Sequence, residues 1–223
     1  KAYVGEAIVN FVWLFEGKHT EELEMSVNLV KKFYPEAYII IISSRAAAYN
    51  FAHLWLEPTN VLPNKHADQL YKLNSFTELL PEEFYVMNDD FFILSEIQDD
   101  GDIYGRLSNL LKNRKVHDTY YQAIENTIEM LDELQFPLWN FELHKPLFVR
   151  KKQLLMAFRL LRSDREAILW RSLYGNTDIL GHKQDKTDVQ DVKNIPFGTS
   201  WCLSTDGYSY PRYRSKLRGV LNG

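Results

Sequence analysis

The feature that most constrains this chain is a series of short apolar runs, each stopping at a polar cluster, with helix-period segments between them. Residues 7–14 (AIVNFVWL) are rich in Val, Ile and aromatics, the signature of a buried strand. Residues 16–19 then read as a loop. Thr20 stands at an N-cap position, with Glu21 and Glu22 in the first turn, where a helix dipole favours acids. Leu23, Val27, Val30 and Phe33 recur at helical spacing, and Pro35 ends that pattern. Residues 37–43 (AYIIIIS) predict a second buried strand and 53–57 a third. Residues 64–80 predict a helix with Leu70, Leu73 and Phe76 inward, and 84–88 (FYVMN) the next strand. This β-α-β-β-α-β order predicts an α/β fold, with a mostly parallel central sheet flanked by helices. Ligands of such folds bind at the carboxyl ends of the strands, so the loops after Leu14, Ser43 and Met87 are expected to face one site.

The second half is less regular. Residues 99–102 read as a polar turn, and 117–134 as a long helix with Ile124, Ile128, Leu131 and Leu134 on one side. Residues 153–161 and 166–174 predict shorter helices, and 175–194 a mobile polar loop. Residues 208–223 form a basic tail carrying Arg212, Arg214, Lys216 and Arg218. At 223 residues the chain fits one domain. Residues 1–98 are expected to form an α/β core, in a Rossmann-like arrangement. Residues 99–223 are expected to complete the same domain as a smaller helical and loop region.

Composition narrows the function classes. A net charge of −4 shows no global nucleic-acid footprint, although the tail leaves a local one open. Cys202 is the sole cysteine, so no internal disulfide can form, and its apolar setting reads as core. There is no apolar run of about 18 residues that could span a membrane. The first five residues carry no signal-peptide pattern, and a cytoplasmic location is expected. Walker-type, GxGxxG and GxSxG loops are absent, as is any Cys/His zinc spacing.

Chemistry concentrates in two segments. In Phe84-Tyr85-Val86-Met87-Asn88-Asp89-Asp90-Phe91-Phe92 a buried strand runs straight into an amide and two carboxylates. Strand alternation would put Asn88 and Asp90 on one face and Asp89 on the other. Oxygen ligands at that spacing suit Mg²⁺ or Mn²⁺, with Asn88 and Asp90 as the ligands. The competing reading is a surface turn whose Asp and Asn cap a helix. Met87 and Phe91-Phe92 argue for a recess instead. In Trp139-Asn140-Phe141-Glu142-Leu143-His144-Lys145-Pro146, His144 fits a general base or a phosphate contact. A partly buried His bonded to a carbonyl is the competing reading, and sequence alone favours it. Glu142 would share a strand face with His144. Arg171 fits either a bidentate phosphate clamp or an exposed helical Arg.

Taken together, these segments resemble a family. The strand VNFVWLFEG, the helix from Glu21 through Val27, the Tyr-Ile-Ile-Ile-Ile strand, the YVMNDDFF segment and Phe141-Glu142-Leu143-His144-Lys145-Pro146 look like the Stealth-type sugar-phosphate transferases. They look equally like the small bacterial and phage glycosyltransferases related to them. In that group the acidic segment reads FIYMNDDFF, and the later one ELHxP or HMPH. The helix, ELRYSLRS in the group, departs here: Glu24-Met25-Ser26-Val27-Asn28 lacks an Arg that would touch the donor. The resemblance covers about residues 7–176. It implies a GT-A-like fold, with residues 1–98 as the nucleotide-sugar-binding core and 99–223 as the acceptor side, a divalent metal (Mn²⁺ or Mg²⁺) and a nucleotide-sugar donor, with a UDP-sugar first among the donors. It further implies a hydroxyl acceptor, a glycan ahead of a modified nucleic acid. Carried over by residue, Asp90 and Asn88 hold the metal, and Asn88 and Arg171 contact the donor. Asp89, His144 and Glu142 are the catalytic candidates. Sugar-phosphate transfer and a non-catalytic glycan-binding module stay open as alternatives.

Overall fold

The computed structural model describes residues 8–17, 20–98, 101–113, 119–161, 167–177, 197–198, 200–205 and 209–223. The first half follows the sequence pattern closely. Strand β1 (Asn10–Leu14) leads to helix α1 (Thr20–Phe33), strand β2 (Tyr38–Ile42), a 3₁₀ turn, strand β3 (Leu54–Leu56), helix α2 (Lys65–Phe76) and strand β4 (Glu83–Met87). Asn64 caps α2, its side chain accepting from the N–H groups of His66 and Ala67. Residues 77–79 tighten into a 3₁₀ turn, so α2 ends sooner than its apolar spacing predicts.

After β4 come strand β5 (Phe91–Ile93), helix α3 (Thr119–Glu133), strand β6 (Leu147–Arg150), helix α4 (Lys151–Phe158), helix α5 (Trp170–Thr177), strand β7 (Cys202–Ser204) and helix α6 (Tyr210–Asn222). The main sheet has the order β3-β2-β1-β4-β6, and β5 pairs with β7 in a second, small sheet. The first four strands of that order are parallel, as expected. β6 runs antiparallel to β4, Phe84 facing Val149 and Val86 facing Leu147. A main-sheet strand therefore comes from the second half of the chain. The predicted loop at 175–194 lies outside the described residues from 178 on, and 175–177 finish α5.

Each face of the sheet buries its own core. Val12, Leu14, Ile40, Ile42, Phe84, Val86, Leu147 and Val149 point one way, under α2, α3, α4 and α5. Phe11, Trp13, Ile39, Ile41 and Met87 point the other way, against Leu23, Val27 and Val30 of α1 and against the small sheet. Burial on both faces explains why the strands read as unbroken apolar runs rather than alternating ones. Cys202 is 1% exposed, in the second core. The basic tail is a packed helix: Tyr210 and Leu217 of α6 bury against Met25 and Leu29 of α1, and Arg214 reaches Glu21 at 3.2 Å. No helix among the described residues is long and apolar enough to cross a membrane.

One buried hydroxyl ties the sheet to the segment after the acids. Trp13 Nε1 donates to Ser26 Oγ at 3.1 Å, and that hydroxyl donates to the Phe91 carbonyl at 2.6 Å. β5 is thereby fixed immediately beyond the acidic turn.

Candidate active site at the carboxyl ends of the strands

β1 has β2 on one side and β4 on the other, so the strand order reverses between β1 and β4. The crevice outside such a switch point is where an open α/β sheet holds ligands. Gly17 follows β1, and Asn88, Asp89 and Asp90 follow β4.

The strand ends at Met87, and Asp89 and Asp90 form a turn, with the Phe91 N–H donating to the Asn88 carbonyl at 3.2 Å. The alternation expected through residues 88–90 therefore does not operate, because the backbone has left the pleat. The turn brings the two acids together instead of placing them on opposite faces. Burial raises the Asp90 carboxyl to about 6, Asp89 adds to the rise, and Lys65 and His144 oppose it. Burial likewise raises Asp89, with Lys65 opposing. Asn88, Asp89 and Asp90 are each only half-buried. The charges are shielded from water while still open to a ligand.

Two other elements shape this turn. A Cβ built on Gly17 would stand 2.8 Å from Asp89 Oδ2 and 2.6 Å from the Phe15 ring. The bare glycine backbone thus lets Asp89 lie over the end of β1. From β7, Ser204 Oγ donates to Asp90 Oδ2 at 3.2 Å, and the Thr205 N–H donates to the Asp90 carbonyl at 3.1 Å. Gly17→Ala is therefore expected to displace Asp89 or the buried Phe15 ring. The stability loss should be about 1–3 kcal/mol, as for other overpacked sites. Urea unfolding measures that loss, and unchanged stability would show that Asp89 and Phe15 yield to the added methyl group without cost.

The second segment is not a strand before Leu147; residues 141–146 form a loop. Glu142 and His144 still sense each other, and His144 senses Asp90, for a tertiary reason. The Ser172 N–H and Oγ both donate to Glu142 Oε1, at 3.0 and 2.8 Å. Burial raises the Glu142 carboxyl, and Arg171 and Ser172 oppose the rise. Arg171 is 5% exposed, which overturns its reading as an exposed helical residue. Its Nη1 donates to the carbonyls of Leu143 and Lys145, at 3.2 and 2.9 Å. Its guanidinium lies over the rings of Phe91 and Trp170, at 5.3 and 5.5 Å. Arg171 thus braces the loop that carries His144 and also packs on the first residue of β5.

Beside the acids, Glu16 closes the loop after β1. It accepts from Ser44 N–H at 2.8 Å and Ser44 Oγ at 2.7 Å, and Lys72 Nζ lies 2.7 Å away. Burial alone would raise the Glu16 carboxyl, but Lys72 and Ser44 outweigh it and hold it low. Lys72 also meets Asp68 at 2.5 Å.

His144 is in electrostatic reach of both Asp90 and Glu142, and Arg171 braces the loop that carries His144. Sequence reasoning passed over Gly17, Lys65, Lys72, Ser204 and Thr205. A glycine just past a strand end was a readable signal for close approach. The other four join the site only through long-range packing. Among the described residues no three His, Cys, Asp or Glu side chains converge as a metal cage. The donor set nevertheless fits Mg²⁺ or Mn²⁺, because such ions take one or two carboxylates and fill the rest with water and substrate phosphates.

Neither a family model nor a curated protein matches the sequence. Solved structures do match. An active-site mutant of LgtC is similar over 95% of this chain and 95% of its own, at a TM-score of 0.50 and 10% identity. The galactosyltransferase LgtC in complex with donor and acceptor sugar analogues gives 0.48 and 8%, over 96% of this chain and 95% of its own. The apo-form glycosyltransferase GlyE of Streptococcus pneumoniae TIGR4 gives 0.45 and 8%, over 96% of this chain. This chain spans 60% of the length of GlyE. The mixed α/β architecture, with its mostly parallel sheet flanked by helices, is that of GT-A glycosyltransferases.

Proposed function

We propose that this chain is a metal-dependent glycosyltransferase that moves a sugar from a nucleotide-sugar donor, a UDP-sugar first, to a hydroxyl acceptor such as a glycan. The observation that carries this reading is the pair of half-buried carboxylates, Asp89 and Asp90, facing the β1/β4 switch point with Lys65 and His144 in electrostatic reach.

Asp90 and Asn88 would hold the cation, which when bound supplies charge neutralisation for a departing diphosphate. Lys65, at the first turn of α2, adds positive charge on the same side. The acceptor hydroxyl attacks the sugar C1, the C1–O bond to the diphosphate breaks, and a nearby base takes the hydroxyl proton. Asp89, His144 and Glu142 are the candidates for that base. Burial makes Glu142 more basic than an ordinary carboxylate, and two bonds from Ser172 fix its orientation. Arg171 serves through the carbonyls of Leu143 and Lys145, holding His144 in place, rather than by clamping the donor.

Incubating the protein with UDP-, GDP-, ADP- and CDP-sugars, Mn²⁺ and an oligosaccharide panel tests this. A released nucleoside diphosphate together with a sugar-extended acceptor is the expected outcome. A released nucleoside monophosphate would instead mean attack at the β-phosphorus and transfer of a sugar phosphate. Glycan binding with no turnover of any donor would establish the non-catalytic module.

A further inference from the structure

Buried hydroxyls around this crevice are bonded. Ser26 donates to the Phe91 carbonyl, Ser172 to Glu142, and Ser204 to Asp90. Farther away, Thr127 donates to the Ala123 carbonyl and Thr77 to that of Leu73. Thr205 breaks the pattern. It is 2% exposed, and its Oγ1 has no hydrogen-bond partner. A buried hydroxyl left so has lost its water without replacement, which native proteins rarely tolerate outside functional sites.

Its location gives the orphan atom a use. The Thr205 N–H donates to the Asp90 carbonyl at 3.1 Å, and the preceding Ser204 binds the Asp90 carboxylate. Oγ1 lies three bonds from that nitrogen, so covalent geometry keeps it beside Asp90. Thr205 comes just after β7, which β5 holds by antiparallel pairing through Phe91–Ser204 and Ile93–Cys202. The residue is thus anchored to the acidic turn from both sides.

We propose that Thr205 is a ligand-contacting residue of this site. Its hydroxyl donates to an oxygen that arrives with the cation, either a phosphate oxygen of a nucleoside diphosphate or a water in the cation's shell. The proposal rests on the transferase reading.

Thr205→Val and Thr205→Ser decide it. Valine keeps the shape and removes the hydroxyl, while serine keeps the hydroxyl. Melting temperature is measured first without ligand, where Thr205→Val should match or exceed the unaltered protein, since it deletes an unsatisfied polar group. Calorimetry with Mn²⁺ alone, and with UDP, GDP, ADP or CDP plus Mn²⁺, follows. Thr205→Val should lose about tenfold in affinity, the effect of one hydrogen bond to a charged group, and Thr205→Ser should stay within about twofold. A loss already present with Mn²⁺ alone puts the oxygen on a bound water. A loss seen only with nucleotide puts it on a phosphate. Unchanged affinity in Thr205→Val, or a ligand-free melting temperature lowered by several degrees, overturns the proposal and leaves the transferase reading standing. Failure of the unaltered protein to bind Mn²⁺ or any of the nucleotides removes both.

Discussion

Asp90→Asn should abolish the proposed metal-dependent transfer and at the same time make the protein more stable. The carboxyl titrates at about 6 in the fold, against its ordinary 3.8, because burial and Asp89 disfavour the charged form. A carboxyl raised in this way binds its proton more tightly folded than unfolded. Its ionisation therefore costs stability, with the cost growing as pH rises from about 4 to about 6 and staying constant above. An amide of the same shape carries no such cost, and its oxygen can still accept from Ser204. The gain at pH 7.5 should be on the order of 2 kcal/mol, and it should vanish below about pH 4. Donor turnover should fall by at least a thousandfold, since the cation proposed there would lose a charged ligand. Urea unfolding at pH 7.5 and pH 4, combined with a product assay, checks both parts. A variant that turns over donor normally, or that is less stable at pH 7.5, would refute the assignment. The expected trade of stability for activity is common where sites gather like charges.

The second large effect is expected at Lys72→Met. Lys72 is 1% exposed and lies between Asp68 at 2.5 Å and Glu16 at 2.7 Å. Asp68 also accepts from the Leu62 N–H at 2.9 Å, so its carboxylate is held in place. Methionine fills a similar volume but leaves two carboxylates facing each other with no cation between them. Removing one partner of a buried ionic cluster costs about 3–5 kcal/mol. For a chain of this size that corresponds to a melting temperature lower by roughly 10 °C. The damage should reach the site, because Glu16 precedes Gly17, and Gly17 leaves room for Asp89. Calorimetric melting measures the first effect and manganese titration the second. A loss below about 1 kcal/mol would mean that Asp68 and Glu16 have another way to spread their charge.

The first half of the fold was legible because its strands are buried on both faces. Only an unbroken apolar run survives that environment, and YIIII of β2 can be little else. β6 and β5 were hidden. LFVR and FFI are too short to show a period, and each becomes a strand only through a partner far along the chain. The basic tail was misleading for a related reason. Its charges dominate the sequence, whereas Tyr210 and Leu217, which dock it on α1, are sparse.

The acidic turn stood out in the sequence because two carboxylates lie between the apolar Met87 and Phe91, both buried in the fold. Its geometry did not. Strand alternation separates Asp89 from Asp90, and only the turn at the end of β4 brings them together. Likewise Glu142 and His144 lie in electrostatic reach of each other, but a loop braced by Arg171 and Ser172 brings this about, not a strand face.

What the sequence by itself determined is the mostly parallel α/β frame and the chemical identity of the Asp89–Asp90 turn. Both are written in local signals: apolar runs, helical spacing, and adjacent residues of one kind. The tertiary structure alone decided how those acids are supported. Gly17, Lys65, Ser204 and Thr205 come to the acidic turn from three other parts of the chain, and no local pattern encodes contacts between residues so far apart.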